Sequence, residues 1–209
     1  MGDTKGSRRI LVWKSMNLSA EIDRLLDLMP ASGRMYTKLV SKPKQSTVIA
    51  ATYPLPWVEV HPITINFDLW QKLPQPQRDL LLLHHVGGLL NARQLKLDLY
   101  QGLFAVGATG TVIELIRGEA AGIVTLAGLT VLAGAQVFRK NRKDEAVLIA
   151  DEAAIRVAQR RGYTETEAAQ HLLAAIESVA QIEQRNLSVA EVVRSQALRA
   201  MAGLSPLNQ

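Results

Sequence analysis

The feature that most constrains this chain is a run of 19 consecutive residues without a charge, from Ala120 to Phe138. As a helix with a rise of ~1.5 Å per residue it is ~28 Å long, close to the hydrocarbon thickness of a bilayer. A second uncharged run, Leu99 to Ile113, precedes it; Glu114 interrupts that run, and Leu115 and Ile116 extend it. Arg117, Gly118 and Glu119 form a polar tip between the two. The pair reads as a transmembrane helical hairpin over residues 100–138. Seven of the 14 glycines fall between Gly102 and Gly134. Small residues let helix backbones approach closely in lipid, so Gly118, Gly122, Gly128 and Gly134 are its expected packing positions.

The flanks agree with that reading. Arg139, Lys140, Arg142 and Lys143 follow the second run directly, and Arg93 and Lys96 precede the first. The positive-inside rule then puts both termini on the cytoplasmic side. The expectation is an integral membrane protein with the lipid bilayer as one partner. The competing reading is a buried hairpin in a soluble core or an oligomer interface. Lys5, Arg8, Arg9 and Lys14 mark a basic N-terminal arm, with no apolar stretch of signal-peptide length behind them.

Composition narrows the chemistry. The chain has no cysteine, which excludes disulfides, thiolate zinc sites, iron–sulfur clusters and a cysteine nucleophile. Its 24 basic and 19 acidic residues leave a net charge of +5, concentrated near the hairpin, and only 5% of residues are aromatic. That is too few for a base-stacking platform, so nucleic acid is not an expected partner. Arg156, Arg160 and Arg161 read as a solvated helix face diluted by Glu152, Glu165 and Glu167. A mean hydropathy of +0.07 is the average of a charged body and one concentrated apolar segment.

The expected division is a basic arm at 1–16, the first part of a split domain at 17–99, the hairpin at 100–138 and the rest of the domain at 139–209. Ile22, Leu25, Leu26 and Met29 share one face of a helix that Pro30 to Gly33 breaks. Met35 to Val40 is expected to be another short helical piece. Ser46 to Ala51 and Pro62 to Phe67 read as strands of a small antiparallel sheet. Asp68 is expected to open a helical turn, and Pro76 suits the first turn of a helix running through a very apolar segment. Another helix passes through Ala150, Ala154 and Ala158 to a stop at Gly162. Thr164 with Glu167, and Ser188 with Glu191, make capping boxes that open two more. The expected fold class is mainly α with a small antiparallel β element.

The segment His84-His85-Val86-Gly87-Gly88 invites comparison with the zinc-peptidase pattern H-E-x-x-H. In that pattern two histidines four apart bind zinc and the glutamate polarises the attacking water. Here His84 holds the first position, His85 replaces the glutamate, and Gly88 replaces the second histidine. The order of parts resembles the integral-membrane zinc metallopeptidases of the HtpX and CAAX prenyl protease types. Strand PITINF and turn LPQPQRD stand before HHVGG, the hairpin follows, and Val147-Leu148-Ile149-Ala150-Asp151 comes after it. In those families the later element reads E-x-x-A-D and its glutamate is the third ligand; Val147 stands at that position, while Ala150 and Asp151 match. The resemblance implies a degenerate zincin-like domain with an inserted hairpin, in which His84, His85, Gly88, Val147 and Asp151 mark a vestigial site.

A second resemblance covers nearly the whole chain. IDRLLDLMPASGRM, INFDLW, QRDLLLLHHVG, DLYQG, ADEAAIRVAQRRGYTETEAAQHLLAAIE and LRAMAGLSP are similar to a cyanobacterial family known only as a domain of unknown function. It implies a cyanobacterial source and a thylakoid or plasma-membrane location.

Zinc binding is not expected. Neighbouring side chains on a helix diverge by about 100°, so His84 and His85 do not chelate one ion, and a catalytic site needs three protein ligands. Asp151, at the position that orients a ligand in the peptidase pattern, then has no ligand to orient. Phosphate-cradling GxxxxGK[ST], strand-borne GxGxxG and the GxSxG nucleophile elbow do not occur. The expectation is a pseudoenzyme without cofactor or catalytic residues. Anchored in the membrane, it would act as a scaffold, assembly or quality-control factor for a membrane protein complex, a photosynthetic one being the expected case, or as a homo-oligomer. The alternative is a divergent metallopeptidase or other hydrolase using His84 or His85.

Overall fold

Helix α1 spans residues 18–28 and buries Leu25 and Met29 at its C-terminal end, as the sequence spacing predicts. The computed structural model describes residues 18–51, 60–92 and 146–204. After Pro30 the chain forms α2 (Ala31–Tyr36) and passes directly into β1 (Thr37–Ser41). The helical piece expected over Met35 to Val40 is therefore mostly strand. Thr37, Leu39 and Val40 have the branched or bulky side chains that suit a pleated surface, and partners distant in sequence decide the matter. Strand β2 (Ile49–Ala51) and strand β3 (His61–Ile65) follow.

The sheet has the order β1-β3-β2. β2 pairs antiparallel with β3, but β1 pairs parallel with it, Thr37 opposite His61 and Ser41 opposite Ile65. The sheet is mixed, not antiparallel as expected. β3 alternates cleanly, with His61, Ile63 and Ile65 buried and Pro62 and Thr64 half-buried. Pro62 sits in a central strand because β2 reaches only Ile63 to Ile65; the proline lies beyond that pairing.

Asn66 caps the short α3 (Phe67–Trp70), accepting from the backbone N–H of Asp68 and Leu69. Helix α4 is described over residues 75–92 and α5 over 146–159. Gly162, at φ +98°, supplies the left-handed residue just after α5. Both expected capping boxes are present. Thr164 with Glu167 opens α6 (Glu165–Ile182), and Ser188 with Glu191 opens α7 (Val189–Met201).

Two apolar clusters organise these elements. One joins Leu25, Met29, Val48, Ile63, Ile65, Trp70, Leu82 and Val86 to Ala175 and Val179 of α6. The other joins Leu80 and Leu83 to Ala154, Ala158, Leu172 and Leu198. α4 thus lies between them and buries opposite faces in each. That explains why its leucine-rich run, Leu80 to Leu83, is apolar all round instead of amphipathic. The architecture is mainly helical with a small three-stranded mixed sheet.

The integral-membrane location expected from the apolar runs is corrected. No described helix is long and apolar enough to cross a membrane. The 18-residue α6, which at ~1.5 Å per residue is ~27 Å long, carries Glu165, Glu167 and Glu177 and buries its other face in the clusters above. The inserted hairpin expected at 100–138, with Gly118, Gly122, Gly128 and Gly134, lies outside the described residues. So do the basic arm and the flanking Arg139, Lys140, Arg142 and Lys143.

Candidate functional site

Three helices bring one charged cluster together in the interior. His84 comes from α4, Asp151 from α5 and Arg194 from α7, and all three are buried. Arg194 grips Asp151 at two points, Nε donating to Oδ2 at 2.8 Å and Nη2 to Oδ1 at 2.7 Å. This parallel geometry matches the planar guanidinium to the carboxylate and is the stronger form of ion pair. His84 Nδ1 lies 2.6 Å from Asp151 Oδ1, close but bent away from the in-line N–H direction.

The protonation states follow from these neighbours. Loss of water pulls His84 below its ordinary value, and the charge of Arg194 adds to this against the opposing pull of Asp151. Burial would raise Asp151, but the close His84 contact and the two bonds from Arg194 outweigh it and hold the carboxyl below its usual range. At neutral pH the cluster is a charged Asp151–Arg194 pair beside a neutral imidazole. The short contact to Asp151 places the His84 proton on Nδ1 and leaves Nε2 with a lone pair.

His85 is the next residue on α4, and its ring centroid stands 5.2 Å from that of His84 at a tilt of 55°. It is half-buried, and its Nε2 is buried without a hydrogen-bond partner among the described residues. Desolvation, then repulsion from His84 whenever that ring is protonated and from the Arg194 charge, push it well below the ordinary histidine value. Both rings are therefore weak proton acceptors that feel the same guanidinium.

Of the residues the sequence singles out, His84, His85 and Asp151 are brought together. Gly88 faces α5: a Cβ there would meet the Ala150 Cβ at 3.6 Å, an ordinary contact. Gly87 is the tighter position, since a Cβ on it would lie 3.1 Å from the Ala150 carbonyl oxygen and 3.2 Å from the Ala153 Cβ. Val147 is half-buried and offers no donor atom. Among the described residues, no three histidine, aspartate or glutamate side chains are placed to hold a metal ion. The sequence reading missed Arg194. The signal was an arginine in register with Leu198 and Ala202 on the buried face of α7, where a cation requires a partner.

A second polar network lies on the other side of α4. Glu21 accepts from Trp70 Nε1 at 3.1 Å, Arg78 Nη1 at 2.6 Å and Arg24 Nε and Nη2 at 2.9 and 3.0 Å. Arg24 also donates to Asp79 Oδ1 at 2.6 Å, and Tyr163 donates to Asp79 Oδ2 at 3.0 Å. Burial and the Asp79 charge push the Tyr163 phenol up to about 12, so it remains a hydrogen-bond donor at neutral pH. Every group in the set faces another member, and the network ties α1, α3 and α4 to the turn before α6.

Between α4 and α5 there is a cavity of about 180 Å³. Leu83, Val86, Gly87 and Leu90 wall it on one side and Ile149, Ala153 and Val157 on the other, with Pro30 at one end and Asn91 and Arg156 as its polar lining.

No curated protein and no solved structure matches the sequence. Residues 23–163, which include His84, His85 and Asp151 but not Arg194, match the family described as protein of unknown function (DUF3318). That match spans well over half of the chain, which therefore belongs to the DUF3318 family.

Proposed function

We propose that this chain is a non-catalytic scaffold built on a degenerate zincin-like core, acting as an assembly or quality-control factor by binding another protein. The observation that carries the reading is the contact between His84 and Asp151. In a zinc site a ligating histidine directs its second ring nitrogen at a carboxylate, which fixes the tautomer. His84 keeps that carboxylate, with Nε2 left as the nitrogen a metal would take. The other ligand positions hold Gly88 and Val147, and Arg194 now saturates the carboxylate. A guanidinium that lowers the proton affinity of both imidazoles also lowers their affinity for a dication. The resemblance to HtpX- and CAAX-type peptidases supplies the scaffold, and the departures from their pattern fall on its reacting groups.

Binding is the remaining role such a scaffold supports. Peptidases hold substrates as an added strand on a sheet edge. Among the described residues β1 and β2 each pair on one side only, both with β3. The resemblance to a cyanobacterial family makes a photosynthetic protein complex the partner class we favour. Metal analysis of the purified chain beside His84→Ala tests the reading. No stoichiometric zinc in either protein is expected, with no hydrolysis of a casein substrate. Stoichiometric zinc that disappears in His84→Ala, or cleavage that the same substitution abolishes, would establish a divergent hydrolase instead. Affinity capture from a native extract tests the partner role: consistent recovery of the chain alone argues against it.

A further inference from the structure

The cavity between α4 and α5 is separate from the charged cluster, and nothing in the pseudo-peptidase reading uses it. We infer that it seats one large apolar side chain of a protein partner, flanked in that partner by an acidic residue that pairs with Arg156. The inference rests on the proposed binding role only in taking the chain as a protein that binds others.

Size argues for a single side chain. An enclosed apolar space of about 150 Å³ takes a benzene-sized guest, and this cavity measures about 180 Å³. Pockets that hold whole drug-sized ligands begin at about 300 Å³. A phenylalanine or leucine side chain fits; a complete cofactor does not. The walls suit such a guest, because Leu83, Val86, Leu90, Ile149 and Ala153 present only carbon.

Charge argues for an anionic neighbour. Arg156 lines the cavity, yet its side chain is 67% exposed, which places the guanidinium at the rim. It pairs with Glu152, 3.9 Å away and itself exposed, a loose contact that a better acceptor displaces at little cost. Arg160, exposed, lies in the turn just after α5. Arg161 donates to the Met29 carbonyl at 3.3 Å, next to Pro30 at the end of the cavity. Arg156 is thus an exposed, loosely paired cation at the rim of an apolar space. An apolar anchor in a pocket beside a charged contact is how interface hot spots are built.

Selection of a displayed random-peptide library on the immobilised full chain tests this. Enriched peptides should carry one Phe, Leu, Ile or Met beside an Asp or Glu. A synthetic copy of the leading peptide should lose at least tenfold in affinity when its apolar anchor becomes alanine. Ala153→Leu, which fills the cavity from α5, should cost a similar factor, and Arg156→Glu at the exposed rim roughly threefold or more. Thermal melts show whether Ala153→Leu is folded; if it is not, Arg156→Glu and the peptide substitution decide the matter. Absence of enrichment, enriched peptides lacking the apolar–acidic pairing, or equal binding by the folded variants would overturn the inference. Mass analysis of the bound peptide separates the two proposals. A peptide that binds as described but is recovered cleaved supports the cavity site and sinks the non-catalytic reading.

Discussion

Asp151 and Arg194 are joined by two parallel hydrogen bonds of 2.7 and 2.8 Å, although 43 residues separate them in the sequence. The pair fastens α7 to α5 inside the protein, where each charge depends on the other. Removing one partner leaves an uncompensated buried charge, which costs more than the pair itself contributes. Arg194→Met should destabilise the chain by about 3–5 kcal/mol. Adding Asp151→Asn to that variant should recover part of the loss. Urea unfolding of the two single variants and the double variant measures this, and strict additivity would show that the groups do not act as a unit.

The histidines make stability depend on pH. His84 and His85 are both depressed from an ordinary value near 6.5 by burial, with the Arg194 charge adding to the effect. Below that pH the unfolded chain takes up protons that the folded chain refuses. The stabilisation is therefore complete above about 6.5 and declines as pH falls, by up to about 1.4 kcal/mol per pH unit for each histidine. Asp151, held below its usual range, extends the loss into stronger acid. The unfolding midpoint should drop between about pH 7.5 and about pH 5. The double variant His84→Asn, His85→Gln should show a flatter profile; an unchanged slope in that variant would assign the titration to other groups.

Adjacent glycines on α4 should respond oppositely to alanine. Among the described residues a Cβ on Gly88 meets nothing closer than 3.6 Å, so Gly88→Ala should gain helix propensity of up to about 1 kcal/mol. A Cβ on Gly87 would press on the Ala150 backbone oxygen at 3.1 Å and the Ala153 Cβ at 3.2 Å. Backbone yields less readily than a side-chain tip, and Gly87→Ala should cost about 1–3 kcal/mol. Thermal denaturation of the two variants decides the ordering. Equal effects would mean that α4 and α5 can slide apart at this contact.

Local chemistry was legible in the sequence. The Thr164–Glu167 and Ser188–Glu191 capping boxes, the stop at Gly162 and the helical face of α1 each depend on residues within a turn or two of one another. Long-range pairing was not. The alternation in β3 identified a strand but not its neighbours, and only the fold shows that β1 lies parallel to it with Thr37 opposite His61. The sequence singled out His84 and Asp151 by their place in a peptidase-like pattern, and the fold sets them 2.6 Å apart. Arg194 stayed hidden because a lone arginine on an amphipathic helix looks like surface until its face is known to be buried. The leucine-rich run of α4, Leu80 to Leu83, likewise follows from burial in two clusters at once.

The network beyond α4 gives a last test, because it separates a hydrogen bond from a charge. Tyr163 donates to Asp79 Oδ2 at 3.0 Å, while Arg24 holds Oδ1 of the same carboxylate at 2.6 Å. Tyr163→Phe removes one donor but leaves the ring and the Arg24 contact, so the loss should be about 1–2 kcal/mol. Asp79→Ala removes the acceptor from both and leaves Arg24 and Arg78 to share the single carboxylate of Glu21. It should cost clearly more, about 3 kcal/mol or above. In the Asp79→Ala background Tyr163→Phe should then have little further effect, since its hydroxyl has lost its partner. Chemical denaturation of the four proteins in this cycle reads the coupling directly, and a full additive loss from Tyr163→Phe in that background would place the hydroxyl's stabilising contact elsewhere.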